Sequence, residues 1–517
     1  MFFRKMMWGI INMNSFWIET SKDSEISYNI LDVNIEADVC IVGGGITGTL
    51  VAYYLSKHGK TVVLLEKDKV CMKTSGNTTA KVTSQHGLFY KYLLESKGYE
   101  FAKKYYEANE NAIKNIENIV NSENIDCDFE KQDAYVFTEK EDDVKKIGEE
   151  VVAVKEIGGN AEFTTKTNLP FGIKGAIRSK NQAQFNSKKF VNQLLGKITK
   201  NENVKVFENS KVIDIKKEQN TYKIITNSNY VKSKCVVLAC HYPIINAPGF
   251  YFLKMYQMQS HAIVIEADTD FFEGMYINSE LPTKSFRTLK DGDKRLLAIV
   301  GCDYKTGSNI NYENINNQLE KIAKDMYPNC KIKYRWSAED CITLDKIPYI
   351  GEFSKFMPNV YVATGYKKWG MTTSDVAANI ICDKIMKKTN KYEDIFKATR
   401  AEPIKNIKEV ENMLKQTTKS LIIEKFMLSN DDLYEIKNGE GKIINVSGKK
   451  VGIYIDENGK VHAIKPVCSH FGCELTFNSL EKTWDCPCHG SRFDIDGNSI
   501  ETPSINNLDK VENKDLQ

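Results

Sequence analysis

The residue types with the clearest chemistry lie near the C-terminus, where Cys468-Ser-His470-Phe-Gly-Cys473 is followed by Cys486-Pro-Cys488-His489-Gly-Ser491. Thiols and imidazoles arranged as C-x-H on one loop and C-x-x-H on another suit a [2Fe–2S] centre in which histidine replaces cysteine on one iron. Zinc also accepts two Cys and two His, but zinc fingers rarely use a C-x-H arm and have no use for a further Cys473 and Cys488. The second candidate is Gly43, Gly45 and Gly48, in G-x-G-x-x-G spacing. The first glycine permits a tight turn, the second lets backbone N–H groups approach a pyrophosphate, and the third lets a helix pack closely on a strand.

Both sets need elements to hold them. Asp38-Val-Cys-Ile-Val42 reads as a buried strand running into the glycine turn, Ile46 to Lys57 has helical spacing, and Thr61-Val-Val-Leu-Leu65 is a second buried strand ending in Glu66. Glu66 falls at about the twenty-residue offset from which an acid accepts from a ribose hydroxyl. Lys73 to Ala80 is rich in small hydroxyl and amide residues, the composition of a loop against a polar cofactor. Around the cysteine cluster, Gly441 to Val446, Val451 to Ile455 and Lys460 to Ile464 predict a small all-β domain.

Between these ends, Leu88 to about Asn121 and Asp142 to Ile157 carry helical patterns, with Ala134 to Thr138 and Ala161 to Thr164 as strands. Asn186 or Ser187 caps a helix to about Ile198. Val204 to Phe207, Lys211 to Ile215 and Thr221 to Ile225 alternate and predict a β-hairpin layer, ending in the continuous apolar run Cys235 to Ala239 of a central parallel strand. Gln259 to Ile265, Ser285 to Thr288 and Arg295 to Val300 predict a second sheet, followed by a helix at Ile315 to Met326. Val360 to Ala363 is a short buried strand, Gly365 and Gly370 bracket a turn, and Met371 to Met386 is a helix. Lys391 to Lys419 reads as a charged linker.

The length of 517 residues implies about two to four domains. With 71 basic against 68 acidic residues there is no electrostatic case for nucleic acid or an anionic membrane surface. No apolar run is long enough to span a bilayer, and the first twelve residues, broken by Arg4 and Lys5, make a poor signal peptide, with Met13 an alternative start to Met1. Nine of the 13 cysteines are scattered from Cys40 to Cys382 without framework spacing, as reduced thiols of a cytoplasmic protein would be.

The glycine fingerprint alone serves NAD and FAD equally. FAD is favoured because no second such motif follows a strand, and because Gly370-Met-Thr372 at a helix start would aim a positive dipole end at a flavin pyrimidine. Together with the hairpin around Val212, these features resemble the D-amino acid oxidase superfamily, the group of glycine and sarcosine oxidases, over residues 36 to 395. The C-terminal cluster resembles a Rieske domain from about Leu433, and the whole chain resembles the subgroup that carries one. The resemblance implies an α/β FAD-binding fold of the glutathione-reductase type with an interleaved α+β substrate domain, plus a small all-β Rieske domain. It divides the chain into a lead-in at 1–35, an FAD-binding domain at 36–88, 185–250 and 340–395, a substrate domain at 89–184 and 251–339, a linker at 396–430 and the Rieske domain at 431–517. It implies FAD contacts at Gly43, Gly45, Gly48, Glu66, Lys67, Ser75, Thr79, Val212, Gly365, Gly370, Met371 and Thr372. Cys468 and Cys486 would bind one iron, His470 and His489 the other, with Cys473 and Cys488 in a disulfide and Glu501-Thr-Pro-Ser504 in a loop over the cluster. Phe493 stands where high-potential Rieske proteins place a tyrosine hydroxyl, so the potential is expected in the lower part of the range of about −150 to +300 mV.

Such enzymes oxidise the C–N bond of an amine or amino acid. In the substrate region Arg287 could clamp a carboxylate; His261, His86 and Tyr256 are further candidates near the flavin, with Lys254 and Trp336 in the same neighbourhood. No residue stands out as a catalytic base. Two functions are compatible with this reading: an oxidoreductase that takes electrons from a small amine or amino acid at FAD and passes them through the cluster to an external acceptor, and an electron-transfer or redox-sensing module with protein partners alone. A cluster is superfluous to a simple oxidase, so dehydrogenase-like behaviour is expected.

Overall fold

The computed structural model describes residues 14–400 and 436–511. The apolar runs around the glycine motif become the centre of an eight-stranded sheet. Ile35–Val42 lies between Val62–Leu65 and Tyr230–Leu238, parallel to both, and Val204–Phe207 and Met357–Thr364 continue the parallel pairing on either side. Tyr349–Ser354 adds an antiparallel edge. These strands are continuously apolar because both faces are covered. Val39, Ile41, Val62 and Leu64 share a core with the helices Ile46–Lys57 and Gly370–Ile385. Cys40, Val42, Val63 and Leu65 face a second core containing Tyr222 and Ile224 of the hairpin Val212–Glu218 and Thr221–Thr226.

Val204–Phe207 is a correction to the sequence reading, which put it in the hairpin layer. It pairs in parallel with Val62–Leu65, and Val204 and Val206 enter the helix-side core. A four-residue alternating run cannot by itself say which sheet it joins.

The second sheet has nine strands, in the order Lys331–Thr343, Met255–Glu266, Lys294–Lys305, Lys284–Asp291, Met275–Asn278, Glu130–Thr138, Gly175–Gln184 and Lys81–Val82, with Ala161–Thr164 also on Gly175–Gln184. The strand Lys331–Thr343 carries no clear alternation, because Arg335, Glu339 and Asp340 interrupt it; Arg335 is held by Glu320 at 2.5 Å, and Asp340 faces a cavity. The helical pattern after Leu88 is two helices, Tyr90–Lys97 and Tyr99–Ser122, broken at Gly98 with φ +87°. Asn186, not Ser187, caps the helix Ser187–Ile198, its Oδ1 accepting from the Lys189 N–H at 3.1 Å.

The C-terminal part is a three-stranded sheet (Gly441–Val446, Lys449–Ile455, Val461–Ile464) and a four-stranded one (Thr476–Asn478, Thr483–Asp485, Arg492–Phe493, Ser499–Glu501), packed around the fully buried Trp484. It seats on the nine-stranded sheet at glycines. A Cβ on Gly307 would fall 2.5 Å from the Pro487 nitrogen, and one on Gly490 2.6 Å from Gln257 Cβ, so both close approaches require the missing side chain. No helix among the described residues is long and apolar enough to cross a membrane. The choice between Met1 and Met13, and the linker beyond Arg400, lie outside the described residues.

Candidate functional site

The glycine turn is set by contact distances. Gly43 has φ +114°, and a Cβ there would lie 2.4 Å from the Ala239 carbonyl oxygen; on Gly48 it would lie 2.0 Å from the Gly43 carbonyl oxygen. Ser75 Oγ accepts from the Ile46 N–H at 3.1 Å, and a Gly45 Cβ would stand 2.9 Å from that oxygen. Glu66 is fixed by two backbone donors, the Gly44 N–H to Oε2 at 2.8 Å and the Asp68 N–H to Oε1 at 3.0 Å. Burial raises its pKa, and those two N–H groups oppose the rise.

One cleft runs from this turn to the start of the helix Gly370–Ile385 and is lined by Gly43, Gly45, Glu66, Lys67, Ser75, Val212, Gly365, Gly370 and Met371. Three expected contacts stand outside it. Gly48 is consumed by helix packing, Thr79 lines a neighbouring cavity, and the Thr372 hydroxyl turns away to the Thr83 carbonyl at 3.2 Å. Lys67 lies in the cleft wall but donates to the Ile500 carbonyl at 2.5 Å. The cleft also contains residues the sequence reading missed. Thr47 Oγ1 bonds Tyr366 Oη (3.1 Å) and Ser374 Oγ (2.8 Å), and His241 follows the strand Tyr230–Leu238 at the carboxyl edge of the parallel sheet. That edge is where open α/β sheets bind ligands, the one sequence signal that pointed to His241. A glycine turn that admits no Cβ, a buried carboxylate one strand away and a second helix N-terminus fit a dinucleotide whose ring ends at Gly370.

A second cavity adjoins the first and shares Thr74, Thr78, Asp340 and Lys368 with it; Lys81, Asp303, Trp336 and Trp369 complete its walls. Trp336 is thus placed as expected, whereas Arg287, His261, His86 and Tyr256 line neither space. Arg287 cannot clamp a substrate carboxylate, because its Nη1 donates to the carbonyls of Thr79 (2.6 Å) and Ala80 (3.0 Å) and its guanidinium lies over Trp17. His86 is stacked on Trp369 and bonded to Tyr105 Oη, and burial pushes its pKa down to about 3. His261 stacks on Tyr304, and Lys254 donates to the Gly249 carbonyl.

The cysteine cluster assembles from two loops. Cys473 and Cys488 form a disulfide, while Cys468 and Cys486 are buried free thiols. The rings of His470 and His489 lie 5.1 Å apart, and the Nδ1 atom of each is buried without a hydrogen-bond partner. Two thiols with two orphaned imidazole nitrogens fit the donor set of a [2Fe–2S] cluster with mixed ligation. His470 Nε2 is occupied by Asn246 Oδ1 at 2.7 Å, from the larger part of the chain. Ser491 Oγ accepts from the Ser504 N–H at 3.0 Å, which leaves its own proton for a sulfur. Phe493 is fully buried and offers no such proton. Phe493→Tyr is therefore expected to raise the cluster's midpoint potential by roughly tens of millivolts, checked by redox titration of the cluster signal.

The two sites share a wall. Ser499, Glu501, Thr502, Ser504 and Ile505 of the cluster domain line the dinucleotide cleft. Gln257 Nε2 bonds the carbonyls of His489 (3.0 Å) and Thr502 (2.7 Å), Lys211 bonds that of Ile505 (2.6 Å), and Lys73 lies 3.5 Å from Glu501.

Fold and sites together define a flavin-dependent oxidoreductase that carries its own Rieske cluster. The chain belongs to the FAD dependent oxidoreductase (DAO) family, whose model matches residues 38–384, and the Rieske [2Fe-2S] domain model matches residues 428–512. It is 37% identical over 499 residues to YhfW of Bacillus subtilis, named as a Rieske 2Fe-2S iron-sulfur protein, covering 96% of this chain and 97% of that one. OrdL of Haemophilus influenzae, named as an oxidoreductase, is 24% identical over 72% of this chain and 88% of its own. Among solved structures, glycine oxidase from Geobacillus kaustophilus superposes with a TM-score of 0.61 at 17% identity, over 71% of this chain and all of that one. L-amino acid deaminase from Proteus vulgaris gives 0.59 at 16% identity, over 73% and 99%. The cofactors are FAD and a Rieske-type [2Fe–2S] cluster, on an α/β FAD-binding fold with an interleaved second sheet and a small all-β Rieske domain.

Proposed function

We propose that this protein oxidises the C–N bond of a small amine or amino acid and delivers the electrons through its cluster to an external acceptor. The observation that carries this reading is the shared wall: residues 499–505 of the cluster domain line the cleft of the FAD cradle. When bound, FAD takes up a hydride and releases electrons singly, which is the form an iron–sulfur cluster accepts. The residues of the chain do the rest. The glycine turn and Glu66 anchor the dinucleotide, the start of Gly370–Ile385 offers a positive dipole end, and Gln257 locks the cluster loops against the adjoining nine-stranded sheet. The second cavity beside the cleft gives a small substrate a place to stand, which favours an enzyme over a module with protein partners alone. The names of the structural neighbours, a glycine oxidase and an amino acid deaminase, support the substrate class. A cytoplasmic location accords with nine unpaired cysteines from Cys40 to Cys382.

The test is anaerobic mixing of the holoprotein with a panel of amines and amino acids. Flavin bleaching followed by appearance of the reduced-cluster signal is expected. Bleaching by a reduced electron-carrier protein, with no response to any compound, would replace this reading with the electron-transfer module.

A further inference from the structure

Resting on the proposed amine or amino acid oxidation, we infer that Asp340 is the binding residue for the substrate's positively charged nitrogen, and that the preferred substrate is an amine without a neighbouring carboxylate. Asp340 lies on the strand Lys331–Thr343 and faces both the FAD cleft and the adjoining cavity. Its carboxylate makes no hydrogen bond or ion pair among the described residues, although it sits where solvent is scarce. The other ionisable groups of the cavity wall are engaged with neighbours. Lys368 pairs with Asp303 at 2.6 Å and reaches Ser260 Oγ at 3.1 Å. Lys81 spends its ammonium on the Tyr276 carbonyl (2.6 Å) and Ser285 Oγ (2.5 Å), and burial together with the nearby Arg287 disfavours its charge. The Asp340 carboxylate has no such partner, and Trp336 and Trp369 line the same cavity, with rings that suit the apolar body of an amine and the face of a cation.

Among the described residues no arginine is left to clamp a carboxylate. Each of the six described arginines is committed elsewhere: Arg178 to Asp133, Arg287 to backbone carbonyls, Arg295 to Glu130, Arg335 to Glu320, Arg400 to Asp345 and Arg492 to Glu481. A substrate carboxylate placed beside Asp340 would meet like charge.

The charged groups acting on Asp340 are Lys368, which favours its ionised form, and Asp303, which opposes it; Lys81 and Lys367 line the same spaces. Burial is the largest influence and raises its pKa to about 6. Binding of a cation should therefore be complete above that value and be lost as the pH falls through it.

The probe is tert-butylamine, which has no α-hydrogen and is bound without being oxidised, titrated into the holoprotein by the change in flavin absorbance. From pH 8 to pH 5 the affinity should fall about tenfold, as Asp340 takes up its proton. Asp340→Asn should lose at least about tenfold at pH 8 and abolish that pH dependence, and Asp340→Glu should recover most of the affinity. Unchanged flavin and cluster spectra in the variants establish that they fold, and the pH arm needs no variant. In parallel, methylamine against glycine and pyrrolidine against proline are compared by anaerobic flavin reduction, with the amine expected to be at least about tenfold faster. Equal binding by Asp340→Asn, a pH-independent affinity, or faster reduction by the carboxylated partner would overturn the inference. If no compound of the amine and amino acid panel reduces the flavin, the proposed function fails, while the tert-butylamine titration still reads Asp340 separately.

Discussion

Replacing His489 with alanine is expected to remove the iron–sulfur centre while leaving the flavin site working. The Nδ1 atom of His489 is buried without a protein partner, so its free energy of burial is recovered only through a metal bond. Without it, one iron has a single protein ligand, His470. Iron content and the cluster's electron paramagnetic resonance signal should fall at least about tenfold. The fold should survive, because the bond that ties this loop to the larger sheet is donated by Gln257 Nε2 to the His489 main-chain carbonyl at 3.0 Å, an acceptor that alanine retains. FAD content should match the unmodified protein, and the flavin should still bleach with substrate, because its cradle is built from residues 43–75 and 365–371. Turnover with a one-electron protein acceptor should drop by roughly 100-fold, since electrons would lose their route out. A full cluster signal in this variant would refute the ligand assignment. Unchanged turnover would refute the electron path.

The second large effect is expected at Gly48. Gly48→Ala would place a Cβ 2.0 Å from the Gly43 carbonyl oxygen, a backbone atom of the turn between the strand Ile35–Val42 and the helix that carries Gly48. Relief requires the helix Ile46–Lys57 to move off the strand, an overpacking cost of about 1–3 kcal/mol that also widens the turn facing the pyrophosphate. The purified variant should retain less than about a tenth of the normal FAD and unfold several degrees lower in a thermal scan. Gly148→Ala is the control: its Cβ meets nothing within 4 Å, inside the helix Val144–Glu156, and should leave FAD content unchanged. A Gly48→Ala protein with stoichiometric FAD would show that the third glycine is dispensable here.

The sequence by itself determined whatever depends on local chemistry. The glycine spacing is legible because a turn that excludes Cβ atoms can be written only with glycine, and the residues proposed as cluster ligands are legible because they sit in two short loops. Glu66 was found because the βαβ unit spaces it at a fixed offset. The alternating hairpin at Val212 and the buried runs at Val39 and Val236 were readable because their periodicity comes from the sheets themselves.

Other features were decided only by long-range packing. Arg287 looked like a carboxylate clamp because an isolated arginine on an apolar strand has no evident partner, yet its partners are carbonyls some two hundred residues away in sequence. His86 and His261 could be read from the sequence either as facing the flavin or as structural rings, and packing makes them stacked, buried rings. Asp340 drew no attention in a polar-looking stretch, because the emptiness around its carboxylate is set by two sheets and a helix start meeting there. The placement of residues 499–505 in the FAD cleft was equally hidden, since it depends on how one folded domain seats on another through Gly307, Gly490 and Gln257. Sequence spacing specifies which groups can bind FAD and iron. Their adjacency, and the unpaired charge left beside them, comes from which surfaces the tertiary fold brings together.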